Sequence, residues 1–291
     1  MGLWLLLACL PLPAVAGPAL VGAESPQAML LVDSPWLRAN MARDSLLVVD
    51  VRSAEAYAAG HIPGAINLPT QHTFNPVPPT DRMGPVRYIE HLLGSVGVGN
   101  DSNVVLYDGG EYIDAGRVFW ILEVYGHRRV ALLDGGLPGW KKRGFAVSRE
   151  PVSLAPRVFV GAIQPDRLAS RLMTRLAIEN PDRVIVDARG EAEYLGLESR
   201  FGRRGHIPSA INVPAERNLV QVDGVPVLRS RAALIDLYRQ VEPARHVITY
   251  CNRGRRSSFT YFVLRYLGWD VSHYDGSWFD WGNDDDLPVE K

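Results

Sequence analysis

The sequence predicts an α/β protein built as two similar domains, each a mostly parallel sheet flanked by helices. Three observations carry this. The chain repeats itself at domain scale: "SLLVVDVRSAEAYAAGHIPGAINLP" from Ser45 returns as "DRVIVDARGEAEYLGLESRFGRRGHIPSAINVP" from Asp182. Short Val- and Ile-rich runs ("LLVVD", "VVLY", "VIVD", "VITY") alternate with amphipathic stretches, the pattern of strands covered on both faces by helices. Two equivalent helices stop at Gly126 and Gly268, where a residue tolerant of left-handed backbone ends a helix.

In chain order, residues 1–16, "MGLWLLLACLPLPAVA", are apolar and end small-x-small at Ala14-Val15-Ala16, which reads as an export signal with a periplasmic destination. Lipid attachment at Cys9 is the lesser alternative. The stretch is too short and too broken by Pro11 and Pro13 to span a bilayer, so no integral membrane span is expected. Residues 24–148 form the first domain, 149–157 a proline-containing linker and 158–285 the second domain. Helices are expected at "PWLRANM", "DAGRVFWILEVYG", "QPDRLASRLMTRLAIE" and "SSFTYFVLRYLG". The proline-rich stretch 70–87 reads as an ordered excursion, matched in the second half by "AERNLVQVDGVPV".

The repeat extends further: "NVVLYDGG" at 103–110 matches "HVITYCNRG" at 246–254, and "LLDGGLPGW" at 132–140 matches "HYDGSWFDW" at 273–281. Cys251 therefore has Asp108 as its counterpart. A formal net charge of −1 argues against nucleic acid as a partner, since such binding needs a basic face. Beyond Cys9, Cys251 is the one cysteine, so it has no internal disulfide partner and is either a buried small hydrophobe or a reactive thiol. Thiolate metal clusters are excluded and no cofactor is expected.

The stretch "YCNRGRRSS", 250–258, lies between a predicted strand and helix, where open parallel sheets bind ligands and free helix N–H groups favour an anion. Both that helix start and the nearby guanidinium groups favour thiolate over thiol, so an exposed, ionised Cys251 is the candidate nucleophile. Gly254 allows the loop to turn over the sulfur. Arg253, Arg255 and Arg256 would repel one another around a single thiolate, which points to a further bound anion, with paired guanidinium donors suited to an oxyanion. A phosphatase loop would require arginine one position later, at Ser257.

Together, Asp-x-Arg, Gly-His-Ile-Pro-x-Ala, the Tyr-Cys loop and Asp-Gly-Ser-Trp-x-x-Trp at Asp275–Trp281 resemble the tandem-domain rhodanese family, the thiosulfate and 3-mercaptopyruvate sulfurtransferases, over about residues 26–283. The resemblance implies two rhodanese-like domains, with the chemistry confined to the second. Cys251 would attack the outer sulfur of a small donor anion and hold it as a persulfide. Cyanide, a thiol or a protein acceptor would then remove it, a two-step covalent scheme. Backbone N–H groups from Asn252 onward would stabilise the persulfide. The alternative is a non-catalytic tandem module that binds a partner or carries sulfur. The loop departs from the family forms: Arg-Lys-Gly-Val-Thr follows the cysteine in thiosulfate-preferring members and Gly-Ser-Gly-Val-Thr in mercaptopyruvate-preferring ones, against Asn-Arg-Gly-Arg-Arg-Ser here. The cationic loop leans toward thiosulfate.

Arg189 matches a family arginine that reaches the substrate anion, although Arg52 persists in the copy without a thiol and favours a structural role. Asp50 and Asp187 are expected to fix strand ends, and His61 and His206, present in both copies, to hold turns. Trp278, with no aromatic counterpart in the first half, is a candidate pocket residue.

Overall fold

A computed structural model describes residues 30–43, 45–77, 82–241 and 245–291. The proposed leader and Cys9 lie outside the described residues. The first half contains β1 (Leu31–Val32), α1 (Ser34–Asn40), β2 (Leu46–Asp50), α2 (Ala54–Ala59), β3 (Ile66–Asn67), α3 (Val86–Ser95), β4 (Asn103–Tyr107), α4 (Ile113–Val124), β5 (Val130–Leu133) and α5 (Gly136–Lys142). The second has α6 (Arg171–Ala177), β6 (Arg183–Asp187), α7 (Glu191–Tyr194), β7 (Ile211–Asn212), β8 (Leu219–Val222), β9 (Val225–Leu228), α8 (Arg231–Leu237), β10 (His246–Tyr250), α9 (Arg255–Leu267), β11 (Val271–His273) and α10 (Ser277–Trp281).

The sheets run β1-β5-β4-β2-β3 and β11-β10-β6-β7, every pairing parallel. Their central strands are buried along almost their whole length, as strands covered on both faces must be. Asp33 opens α1 by accepting from Trp36 N at 2.8 Å, with Pro35 in the first turn. Gly126 and Gly268 take φ of +85° and +86° at the ends of α4 and α9.

Two local expectations are corrected. The helix expected over "QPDRLASRLMTRLAIE" divides, because Leu168 is extended beside His273, Ala169 N donates to His273 O at 3.0 Å, and Ser170 caps a separate α6. Leu168 thus does for the second sheet what β1 does for the first. The segment "VQVDGVPV" is a β8–β9 hairpin whose turn, Asp223-Gly224, has positive φ at both residues, the conformation that matches strand twist in tight hairpins.

Helices α4 and α9 cross at the seam between the halves. Gly116 makes the approach possible, since a Cβ there would lie 2.7 Å from Phe259 Cα. Phe119 packs edge-on against Phe262 at 5.0 Å between centroids, and both are fully buried. Burial of each ring contributes about 1.5–3 kcal/mol. Each half also reaches into the other: Met83 N donates to Asp275 Oδ2 at 2.9 Å, and Leu228 N donates to Asp134 Oδ1 at 3.0 Å. The site therefore sits in a scaffold that neither half completes alone.

Candidate active site

Strand β10 ends at Tyr250 and α9 begins at Arg255, so residues 251–254 form a four-residue turn at the carboxyl edge of the second sheet. Helix α10 fixes this turn from one side. Trp278 N donates to Cys251 O and Phe279 N to Asn252 O, both at 2.9 Å, while Cys251 N donates to Ser277 Oγ at 3.3 Å. From behind, Arg117 of α4 donates to Gly254 O at 3.4 Å and pairs with buried Asp275 at 2.7 Å. Gly254 has φ +76°, and a Cβ there would lie 3.0 Å from Arg117 Nη1, so both backbone shape and crowding demand glycine. His273, beneath the loop, bonds Ser257 Oγ at 2.8 Å; burial drives its pKa down to about 3, so it is neutral at physiological pH and is no acid–base group there.

Cys251 is 2% exposed, not open to solvent as the sequence suggested. It lines a cleft of about 460 Å³ between the halves. Asp108, Glu111, Ile113 and Asp114 form the first-domain wall; Arg200, Phe201, Asn252, Arg253, Arg255 and Arg256 form the other. The sulfur is thus shielded by the fold and reached through the cleft.

The arginine cluster is not held together by a missing anion alone, which corrects the argument from mutual repulsion. Arg255 and Arg256 occupy the first turn of α9. Arg255 pairs with Asp114 across the seam, and Arg256 donates to Glu193 Oε2 at 2.9 Å. Arg253 lies over the rings of Phe201 and Phe279, at 4.3 and 4.7 Å from their centroids. Asn252 Nδ2 donates to Glu193 Oε1 at 2.5 Å. Although burial opposes ionisation of Glu193, the Asn252 and Arg256 donors hold its pKa below the ordinary range. Burial likewise opposes the charge on Arg256, but the facing Cys251 sulfur and Glu193 outweigh it and raise its pKa.

Glu193 and Asp114 were missed by sequence reasoning. A signal for Glu193 was available: in the aligned "SAEAY" and "GEAEY" its counterpart is Ala56, so this carboxylate occurs only in the copy that has the thiol.

Two candidate contacts fall elsewhere. Arg189 is buried and forks onto Asp187 at 2.6–3.0 Å while donating to Gly205 O at 2.8 Å, the same arrangement as Arg52 with Asp50 and Gly60 O. It braces the turn before His206 and does not line the cleft. Trp278 is fully buried; its indole N–H donates to Arg203 O at 3.0 Å and its ring lies 4.4 Å from the Arg189 guanidinium carbon. The tryptophan therefore supports the loop from below and is not a pocket residue. His61 and His206 stack on Tyr57 and Tyr194, each at 3.7 Å, and bond the carbonyls of those tyrosines.

A thiol at the head of a helix, sunk in a seam between two copies of one parallel α/β domain, defines a class: a two-domain α/β protein with a thiol in one copy only of its repeated turn. Comparison with known proteins places the chain within that class. The Rhodanese-like domain matches residues 33–143 and 169–284, and the chain belongs to this family. It is 35% identical over 270 residues to the thiosulfate sulfurtransferase of Pseudomonas aeruginosa, covering 90% of this chain and 97% of that one. The Azotobacter vinelandii thiosulfate sulfurtransferase is 34% identical over 269 residues, with the same coverage. Among solved structures, EanB bearing a cysteine persulfide in a tetrahedral intermediate state with ergothioneine superposes with a TM-score of 0.83 at 26% identity, over 91% of this chain and 71% of that one. The chain is a sulfurtransferase enzyme.

Proposed function

We propose that the protein takes the outer sulfur of thiosulfate onto Cys251 and passes it to a thiol or to cyanide. The observation that carries this reading is the placement of Cys251 at the base of an arginine-lined cleft, at the head of α9. In the first step the thiolate attacks the outer sulfur of thiosulfate; the sulfur–sulfur bond of the donor breaks, its electron pair leaves with sulfite, and Cys251 becomes a persulfide. In the second, cyanide or a thiolate attacks that outer sulfur and the Cys251 thiolate is regenerated. The first N–H groups of α9 have no helical acceptor and stabilise the anion formed at each stage.

Two features support thiosulfate as donor over 3-mercaptopyruvate: a guanidinium-rich wall, where Arg200 and Arg253 stand beside the carboxylate-paired Arg255 and Arg256, and relatives named for thiosulfate. Mass spectrometry after incubation with thiosulfate tests the reading: a 32 Da gain that cyanide removes is expected, and no gain with either donor would sink it. An exported location is proposed on residues 1–16 alone; recovery of the uncut chain in the cytoplasm on cell fractionation would refute it.

A further inference from the structure

A second compartment, of about 450 Å³, adjoins the cleft at Cys251. Glu111, Ile113 and Arg256 line both spaces, so the two are neighbours across these three side chains. Its character differs from that of the first. Leu219, Val220 and Pro226 of the β8–β9 segment wall it, Phe259 adds apolar surface, and Val220 is left 38% exposed. Charge enters through Glu216, which lines this space alone, and through Glu111, which also faces the first cleft, whereas Arg256 is already paired with Glu193. Among the described residues the matching segment of the first half has a single antiparallel bridge, Phe74 to Met83, where the second half has a four-residue strand pair.

We infer that this compartment is the acceptor subsite and that it takes a thiol with an apolar body and a cationic group. The inference rests on the persulfide reading of Cys251. A site of this volume, mostly apolar with a few charged groups, has the composition of a small-molecule pocket. Cyanide is a two-atom anion that needs no such surface, and thiosulfate is repelled by Glu216. A cationic thiol is attracted by Glu216, the carboxylate found only here, and is disfavoured beside Arg200 and Arg253 of the donor cleft, so opposite charge sorts donor from acceptor. The acceptor thiol loses its proton to solvent, and its sulfur attacks the outer persulfide sulfur. The sulfur–sulfur bond to Cys251 breaks, its electron pair returns to Cys251 as thiolate, and the acceptor departs as a persulfide.

The test uses persulfide-loaded enzyme and three acceptors: para-aminomethylbenzyl thiol, para-carboxybenzyl thiol and cyanide. The amine is expected to discharge the persulfide roughly tenfold faster than the carboxylate. Glu216→Gln is expected to slow the amine about threefold to fivefold, and Val220→Lys about tenfold, with cyanide discharge unchanged in both. Equal rates for the two thiols would overturn the proposal. Binding is read separately, by titrating the unreactive S-methyl thioether of the amine into the Cys251→Ser protein. Saturable binding weakened by both substitutions is expected; no saturation, or binding that both leave untouched, would overturn the subsite. A wild-type protein that gains no sulfur would instead sink the transfer reading, and the thioether titration would still decide the compartment.

Discussion

The loops after β4 and β10 are the same structural device given two different side chains, a carboxyl and a thiol. In the first, Asp108 follows the strand and turns its carboxylate back into the loop, where Oδ1 accepts from Gly110 N at 2.8 Å and Tyr112 N at 3.2 Å, and Oδ2 from Ala115 N at 3.2 Å. The loop supplies its own anion. In the second, Cys251 occupies that position and, though buried, lines the cleft between the halves. One duplicated turn at a helix start thus becomes a closed structural knot in one half and the seat of a thiol in the other. The difference lies in the residue after the tyrosine and in what the cleft admits.

The largest expected effect breaks the comparison at its active side. Cys251→Ser keeps the turn, because α10 and Arg117 hold it through backbone atoms, and lowers thiocyanate formation by roughly a thousandfold or more. Unchanged circular dichroism with lost turnover is the expected result; retained turnover would place the nucleophile elsewhere.

Next comes the inert side. Burial pushes Asp108 up to about 6, against the lowering effect of its three backbone donors. A raised carboxyl pKa contributes stability that is present below the unfolded value and lost as pH rises through about 6. Asp108→Asn removes that dependence, so its stability relative to the parent shifts in its favour by about 1–3 kcal/mol between pH 4 and pH 7, apart from any constant cost of the amide. Urea titrations at several pH values measure it; parallel profiles would show that Asp108 does not titrate in this window.

Glu193→Ala sharpens the contrast, since the first copy already has alanine there. Loss of the acceptor for Asn252 and Arg256 is expected to cost about 1–3 kcal/mol in denaturant unfolding and to lower kcat/KM about tenfold. Wild-type kinetics in this variant would reduce Glu193 to a bystander. Arg255→Ala gives the smallest change. Its pair with Asp114 is half exposed, so stability falls by no more than about 1 kcal/mol, and initial rates should show a severalfold rise in KM for thiosulfate with kcat nearly unchanged. A fall in kcat alone would contradict a role in gathering the donor.

The duplication, the strands, the capped ends at Gly126 and Gly268 and the strand–turn–helix setting of Cys251 were legible because each is written in neighbouring residues. The hairpin at Asp223-Gly224 was legible too, in an Asp-Gly flanked by valines, but was absorbed into an excursion matched to the first half. The split of the helix near Leu168 was not, because a long-range bridge to His273 overrides local period. The roles of Arg189 and Trp278 were misplaced for a related reason. Burial and a fork onto Asp187 are properties of packed side chains, which residue type alone does not reveal.

By itself, the sequence determined that one domain is repeated, that one copy has a thiol where the other has a carboxylate, and that this thiol stands at a helix start. Local propensity, pattern and self-comparison suffice for that. Only the tertiary structure decided which carboxylates neutralise the arginines, how deep the sulfur lies and what space adjoins it. Arg255 meets Asp114 of the other half from 141 residues away and Arg256 meets Glu193 within its own half from 63 away, and contacts at such range exist only after the chain has packed.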